Sequence, residues 1–274
     1  MKNRTKLPNL YLVLILALMY LPILLVMVYS FNDSKISSVW SGFSLKWYTQ
    51  LFRDRAMLEA LGNTLILGLS SCLCAGIIGT LGAFGMTRVK WRLNAPMEYL
   101  STLPMMVPEI ILGMVFMAFF SLIGLPFGLG TLMIAHTAFC IPYVFMLVKA
   151  RLVGLDPLLA AAARDLGAGP VRAFFDITLP LISPAIASGM LLAFAMSIDD
   201  VIISVFVTGV DTNTLPVKIY TQLKTGVTPE INALCTLLFG AVLVLCGLAV
   251  WLGRTPKNKQ AAGENPQPAK NNRR

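Results

Sequence analysis

Charge is scarce in this sequence. Asp, Glu, Lys and Arg supply 13% of its 274 residues, against roughly 25% in a water-soluble domain. Hydrophobic residues reach 57%, and the mean hydropathy is +0.75. That balance excludes an ordinary soluble domain and points to a membrane protein. Histidine occurs once, at His136, so a metal site built from several histidines is excluded. A lone His136 in an apolar segment reads as a packed, hydrogen-bonded side chain. Cys72, Cys74, Cys140, Cys235 and Cys246 all lie in apolar runs, with no partner at metal-ligand spacing. They read as small buried hydrophobes, not as disulfides or zinc ligands. The sequence also lacks a G-x-x-x-x-G-K-[ST] phosphate loop, H-E-x-x-H and G-x-S-x-G. Neither a nucleotide site of its own nor a hydrolytic centre is expected, so no catalytic residue, metal or cofactor is assigned.

Long apolar runs fill the space that charge leaves. Six spans are read at 10–31, 60–86, 98–122, 131–150, 182–207 and 231–252, each near the roughly 20 residues that cross a bilayer. The expected fold is all-α, a polytopic membrane protein with six transmembrane helices. Residues 1–253 form one transmembrane domain, and the loops are too short for a second. The net charge of +9 could suggest nucleic acid, but its placement argues against that partner. With the N-terminus inside, sixteen of the Lys and Arg residues fall in cytoplasmic segments and six in outer ones. This is the positive-inside bias, and it sets both termini in the cytoplasm. Lys2, Arg4 and Lys6 before an apolar run resemble a signal peptide. The run is too long for a signal-peptide core and no A-x-A site follows, so a retained first span is expected. Residues 254–274, rich in Lys, Asn, Gln and Pro, read as a disordered tail.

Several local signals stand out between and within the spans. Ser44 can cap a short outer helix that puts Trp47, Tyr48, Leu51 and Phe52 on one side, at the depth where Trp and Tyr anchor to the interface. Trp47 and Tyr48 are also candidate docking residues for an external partner. Gly76, Gly79, Gly82 and Gly85 recur every three residues and suit close helix packing in lipid. Pro104 and Pro108 should kink span three. Glu109 then starts the continuing helix, where the positive dipole end favours its charge. Asp199 and Asp200 lie in span five, roughly 22 Å from Pro184 at about 1.5 Å per residue. Carboxylates at such depth face a cavity or a partner. Adjacent helical positions point about 100° apart, so one acid can face a path while the other ties helices together. No Lys or Arg lies well inside a span. Glu109, Asp199 and Asp200, with aromatic faces that attract cations, suit a cationic cargo. Residues 216–224 form a short amphipathic helix, and Thr228-Pro229-Glu230 starts span six.

Between spans four and five the chain spells Ala161-Ala162-Ala163-Arg164-Asp165-Leu166-Gly167 and, after nine intervening residues, Ile177-Thr178-Leu179-Pro180. Asp156 is a good N-cap and Pro157 suits the first helical position. Gly167 can close this helix in the left-handed conformation. Gly169-Pro170 starts a second helix, which Leu179-Pro180 should stop. The expected product, about 156–180, is a stiff helix–turn–helix elbow with small alanines at one end and Arg164, Asp165 and Arg172 setting its register.

This segment resembles the E-A-A-x-x-x-G…I-x-L-P loop of binding-protein-dependent ABC importer permeases. The resemblance implies that the elbow couples to a separate ATPase through Ala161, Ala162, Ala163, Arg164, Asp165, Gly167, Leu179 and Pro180. It also implies that the ATP and Mg belong to that partner. The family's first Glu is Ala161 here, and Asp165, one helical turn on, is the acid available to replace its ion pair. Further motifs are Ser30-Phe31-Asn32, Gly42-Phe43-Ser44, Trp47-Tyr48, Ser197-Ile198-Asp199-Asp200, Leu215-Pro216-Val217-Lys218-Ile219-Tyr220 and Gly226-Val227-Thr228-Pro229-Glu230-Ile231-Asn232-Ala233. Together they resemble spermidine/putrescine importer permeases, the second of the two permease subunits in particular, over nearly the whole chain. The partners so implied are a second permease, an ATP-binding subunit dimer, a periplasmic or extracellular polyamine-binding protein and membrane lipid. Lys218 and Tyr220 join Trp47 and Tyr48 as candidates for docking the binding protein. The location implied is the bacterial inner membrane.

Three other classes compete with this reading. An ion-coupled secondary transporter could use the same acids, but such folds usually show internal repeats and none is clear here. An intramembrane enzyme lacks its motifs. An ABC permease for another organic cation or a metal chelate keeps the class and changes the cargo.

Overall fold

A computed structural model describes residues 6–35, 39–89, 92–165, 167–210, 212–226 and 228–252. The proposed tail lies outside them. Twelve α-helices carry the described chain: α1 (Lys6–Tyr29), α2 (Lys46–Leu51), α3 (Arg55–Arg88), α4 (Asn94–Met106), α5 (Glu109–Leu122), α6 (Leu129–Val153), α7 (Pro157–Asp165), α8 (Pro170–Ala173), α9 (Leu179–Asp199), α10 (Ile202–Val207), α11 (Leu215–Thr225) and α12 (Pro229–Leu252). A π-helical turn, Phe174–Thr178, joins α8 to α9. Among the described residues there is no strand, only one bridge between Asn32 and Phe43.

Four helical stretches are long and apolar enough to cross a membrane: Pro8–Tyr29, Arg55–Arg88, Leu129–Val153 and Pro170–Asp199. The pair α4–α5, bent by 107°, makes a fifth when its halves are taken as one span. The apolar α12 is 24 residues long, and counting it as well matches the six spans expected. The protein is thus an all-α polytopic membrane protein, as its hydropathy requires.

Chain contacts divide it into two compact units, residues 1–51 with 228–274 and residues 52–227. In the first, the segment after α1 folds around Asn32. Its amide donates to the Val39 carbonyl (2.6 Å) and its Oδ1 accepts from the backbone of Ser34 and Ser41 (3.2 and 2.9 Å). Ser44 Oγ accepts from Lys46 N (3.3 Å), which starts α2 as expected. Trp47 and Leu51 are buried, but Phe52 lies beyond the helix and is exposed. The six-residue helix ends one position too early to turn Phe52 inward.

In the second unit α3, α6 and α9 pack around one apolar core that includes Leu67, Ala75, Phe139, Val144, Ile182 and Ala193. Lipid gives helices no hydrophobic reason to associate, so close approach must supply the attraction. Gly79 and Gly189 provide it from opposite sides of Val144. A Cβ on Gly79 would lie 3.0 Å from Val144 Cβ, and one on Gly189 would lie 2.9 Å from Val144 Cα. The expected glycine stripe is therefore used only in part. Gly76 and Gly79 make tight contacts, Gly82 only an ordinary one, and Gly85 none.

Two span boundaries differ from the sequence reading. Span three is broken between Met106 and Glu109 and sharply bent, more than a proline kink alone. Prolines at 104 and 108 bracket the break, and Pro108 N-caps α5. The helical stretch that carries span five runs from Pro170, within the elbow, to Asp199, and α10 is a separate helix after the break at 200–201. Leu179-Pro180 does not stop the elbow's second helix. The π turn donates Leu179 N to Phe174 O, and this wider register leaves room for the Pro180 ring, which would clash in an unbroken α-helix.

Candidate coupling elbow and intramembrane acids

The elbow forms as its caps dictate. Asp156 Oδ1 accepts from Leu158 N at 2.9 Å and opens α7. Gly167 has φ +86°, and Ala168 N reaches back to Ala163 O at 2.9 Å. This bond and the left-handed glycine close a helix C-terminus in the Schellman manner. Gly169 then caps α8, with Pro170 in its first turn. Ala163 is buried and Ala162 and Asp165 are exposed. The side chains of Ala161 and Arg164 lie outside the described set. Arg172 pairs with Asp176 one turn on (3.2 Å), so its charge is engaged within its own helix. Leu158, Val171 and Phe175, more than half exposed, make the elbow's open surface apolar. Phe174 packs edge-on against Phe84 of α3 at 4.5 Å, which ties the elbow to the end of a long span. Leu179 and Pro180 lie where the π turn passes into α9.

The two adjacent acids are separated by burial. Asp200 is buried at the α9–α10 break. Its Oδ1 accepts from Ile203 N (3.2 Å), and its Oδ2 accepts from Ser204 N and Ser204 Oγ (both 2.8 Å). It thereby caps α10. His136 Nε2 of α6 stands 3.4 Å away. The imidazole is fully buried, with Nδ1 2.8 Å from Ser197 Oγ and Nε2 3.0 Å from Ser204 Oγ. His136 is thus the packed, hydrogen-bonded residue its isolation suggested. Its partners, Ser197 and Ser204, were not legible as a cluster, because they lie 61 and 68 residues away.

Asp199, one position before Asp200, is exposed, and no hydrogen bond or ion pair engages it among the described residues. A carboxylate at that depth is too costly to face lipid. Glu109 is likewise exposed, in the first turn of α5, where the helix dipole favours a negative charge.

The expected docking residues fall into different settings. Trp47 is buried and its indole N–H donates to Asn32 O (2.7 Å), so it holds the loop's interior. Tyr48 shares a hydrogen bond with Ser30 (2.7 Å) and packs at a tilt against Phe31. Beside them Lys46 binds Asp33, and its hydrogen bond and charge hold that carboxyl below the usual carboxylate range. Lys218 is mostly buried and stands 3.7 Å from Asp54. Tyr220 is 42% exposed, with the Lys224 ammonium over its ring. Leu215 N donates to Thr64 Oγ1 (2.7 Å), which fastens the segment carrying α11 to α3. No group of His, Cys, Asp and Glu among the described residues could hold a metal ion.

Comparison with known proteins bears on family and fold. Over 249 residues the chain is 41% identical to the putrescine transport system permease protein PotI of Escherichia coli (strain K12), covering 88% of each chain. It is 36% identical to the spermidine/putrescine transport system permease protein PotC of Haemophilus influenzae, covering 92% of this chain and 98% of the relative. A solved bacterial ABC transporter involved in alginate import superposes with a TM-score of 0.70 at 13% identity, over 90% of this chain and 94% of that one; this shows a shared fold. Residues 75–254 match the family model for the binding-protein-dependent transport system inner membrane component. The chain therefore belongs to that family and is a multi-pass inner-membrane permease subunit of an ABC-type importer.

Proposed function

We propose that this subunit forms half of the path of an ATP-driven polyamine importer. The observation that carries the cargo is relatedness over nearly full length to permeases named for putrescine and for spermidine/putrescine. The side chains support it. Asp199 is an exposed, unengaged carboxylate in the membrane region, and Glu109 is a second at a helix N-terminus. Ammonium groups spaced along an extended chain suit such acids, whereas an anion would be repelled. In this reading Asp199 and Glu109 face the path, and Asp200 holds the helices.

The chain supplies packing and no hydrolysis. Two ATPase subunits hold the ATP and Mg and dock on the apolar elbow surface. A second permease of like fold completes the path. A polyamine-binding protein docks at the opposite end, where Tyr220 is open. The elbow end is cytoplasmic, with both termini on that side.

The test is ATP hydrolysis and uptake by the assembled complex in lipid, with binding protein and with putrescine or spermidine. Loaded polyamine-binding protein should stimulate both. A Gly167→Val complex should keep the hydrolysis and lose the uptake, because a β-branched residue at φ +86° is strained by about 1–2 kcal/mol and misdirects the elbow. Stimulation only by a binding protein loaded with another solute would reject the cargo and keep the importer. Full uptake by the Gly167→Val complex would reject the elbow's role.

A further inference from the structure

We infer that His136 is a positioning residue for the substrate path: it locks the α9–α10 break so that Asp199 turns out while Asp200 turns in. This rests on Asp199 being the acid of the path. With Asp200 ionised, one hydrogen-bond arrangement pairs every polar group at the break. Ser204 Oγ lies 2.8 Å from Asp200 Oδ2, and a carboxylate only accepts, so the Ser204 proton points there. Ser204 Oγ then accepts from His136 Nε2–H at 3.0 Å. Ser197 has no other side-chain partner among the described residues, and its hydroxyl donates to Nδ1 at 2.8 Å. A neutral ring with its proton on Nε2 satisfies every member. The negative charge rests on Asp200, shared with two backbone N–H groups.

The ring therefore joins three helices. Ser197 is on α9, two residues before Asp199; Ser204 is on α10, four after Asp200; His136 is on α6, in the core. Five residues earlier on α6, Thr131 Oγ1 shares its proton between Gly128 O (2.9 Å) and Val207 O (3.3 Å) at the far end of α10. Between Asp199 and Ile202 no helix holds the chain, so side-chain links set the bend. Adjacent residues at a helix end point about 100° apart, and a fixed Asp200 thus fixes the direction of Asp199. A leucine at 136 would fill the volume and lose this control.

The experiment measures putrescine imported per ATP hydrolysed by the reconstituted complex with saturating loaded binding protein. This ratio does not depend on how much complex assembles, so a merely structural defect leaves it unchanged. His136→Leu should lower the ratio about tenfold, the size expected when a hydrogen bond linked to a charged group is lost. Ser204→Ala, a smaller change at the other end of the link, should lower it in the same direction. His136→Gln, which can still donate to Ser204, should recover most of the loss. The double variant His136→Leu/Asp199→Asn should match Asp199→Asn alone, as expected for two residues acting through one contact. An unchanged ratio in both His136→Leu and Ser204→Ala, or additive losses in the double variant, would overturn the assignment. An unchanged ratio in Asp199→Asn alone would instead remove Asp199 from the path, and the role of His136 with it.

Discussion

At the scale of single residues, two neighbouring aspartates sit in opposite settings, one exposed and one buried and hydrogen-bonded. Both oxygens of Asp200 accept backbone N–H groups at the start of α10. An amide has one acceptor oxygen and turns two N–H donors toward the other site. Asp200→Asn must therefore leave one buried donor unpaired and lose the charge. The expected cost is about 1.5–3 kcal/mol, that of a buried hydrogen bond to a charged group. Asp199→Asn breaks no contact among the described residues and should stay within about 0.5 kcal/mol of the parent, as exposed substitutions do. Thermal unfolding of the two variants in the same detergent or lipid checks this. A lower Tm for Asp199→Asn than for Asp200→Asn would reverse the assignment. The sequence shows two acids at one depth and the angle between them. It does not show which is buried, because that depends on His136, Ser197 and Ser204 meeting from three helices.

At the scale of elements, what the sequence made legible was capping. Asp156, Gly167, Gly169 and Pro170 each act within one turn of chain, and each holds its expected place. Pro180 misleads because its local meaning, a helix stop, is overridden by a π turn that the pattern does not encode. The break at 106–109 was legible as a kink but not in size, since the bend depends on what the two halves pack against. Glycine spacing misleads in a similar way. Gly76 to Gly85 repeat evenly, yet of these Gly79 alone meets another helix's backbone, while Gly76 meets the flexible Met190 side chain. Gly189→Ala puts a methyl 2.9 Å from Val144 Cα. Helix backbones must then separate, at a typical overpacking cost of about 1–3 kcal/mol. Gly85→Ala meets nothing within 4 Å and removes a helix-interior glycine, a gain of roughly 0.5–1 kcal/mol. The two variants should move the Tm in opposite directions. Equal shifts would mean that the contact at Val144 does not hold α9 to α6.

At the scale of the whole molecule, the open question for a permease is which end meets the ATPase, and charge argues it independently of the elbow. In the six-span reading of the sequence, sixteen basic residues are expected on the elbow's side and six on the other; the asymmetry in Lys and Arg, not net charge, orients a chain in the bilayer. Most of the described basic residues near the ends are also held in place. Lys149 binds Glu98, Arg151 donates to Leu181 O, and Lys218 faces Asp54, so the asymmetry is built into the packed structure. Two exposed aromatic positions report on it, Phe175 on the elbow and Tyr220 on α11. In a background with the five native cysteines replaced, a cysteine at 220 should react with a membrane-impermeant maleimide in intact spheroplasts. A cysteine at 175 should react only in inverted vesicles or after permeabilisation. The reverse pattern would put the elbow outside, away from any cytoplasmic ATPase, and the coupling role would fall even if the fold and the cargo stood. Reaction of both in intact spheroplasts would break the count of six spans, because an odd number of crossings separates residue 175 from residue 220 only when α9 spans the bilayer.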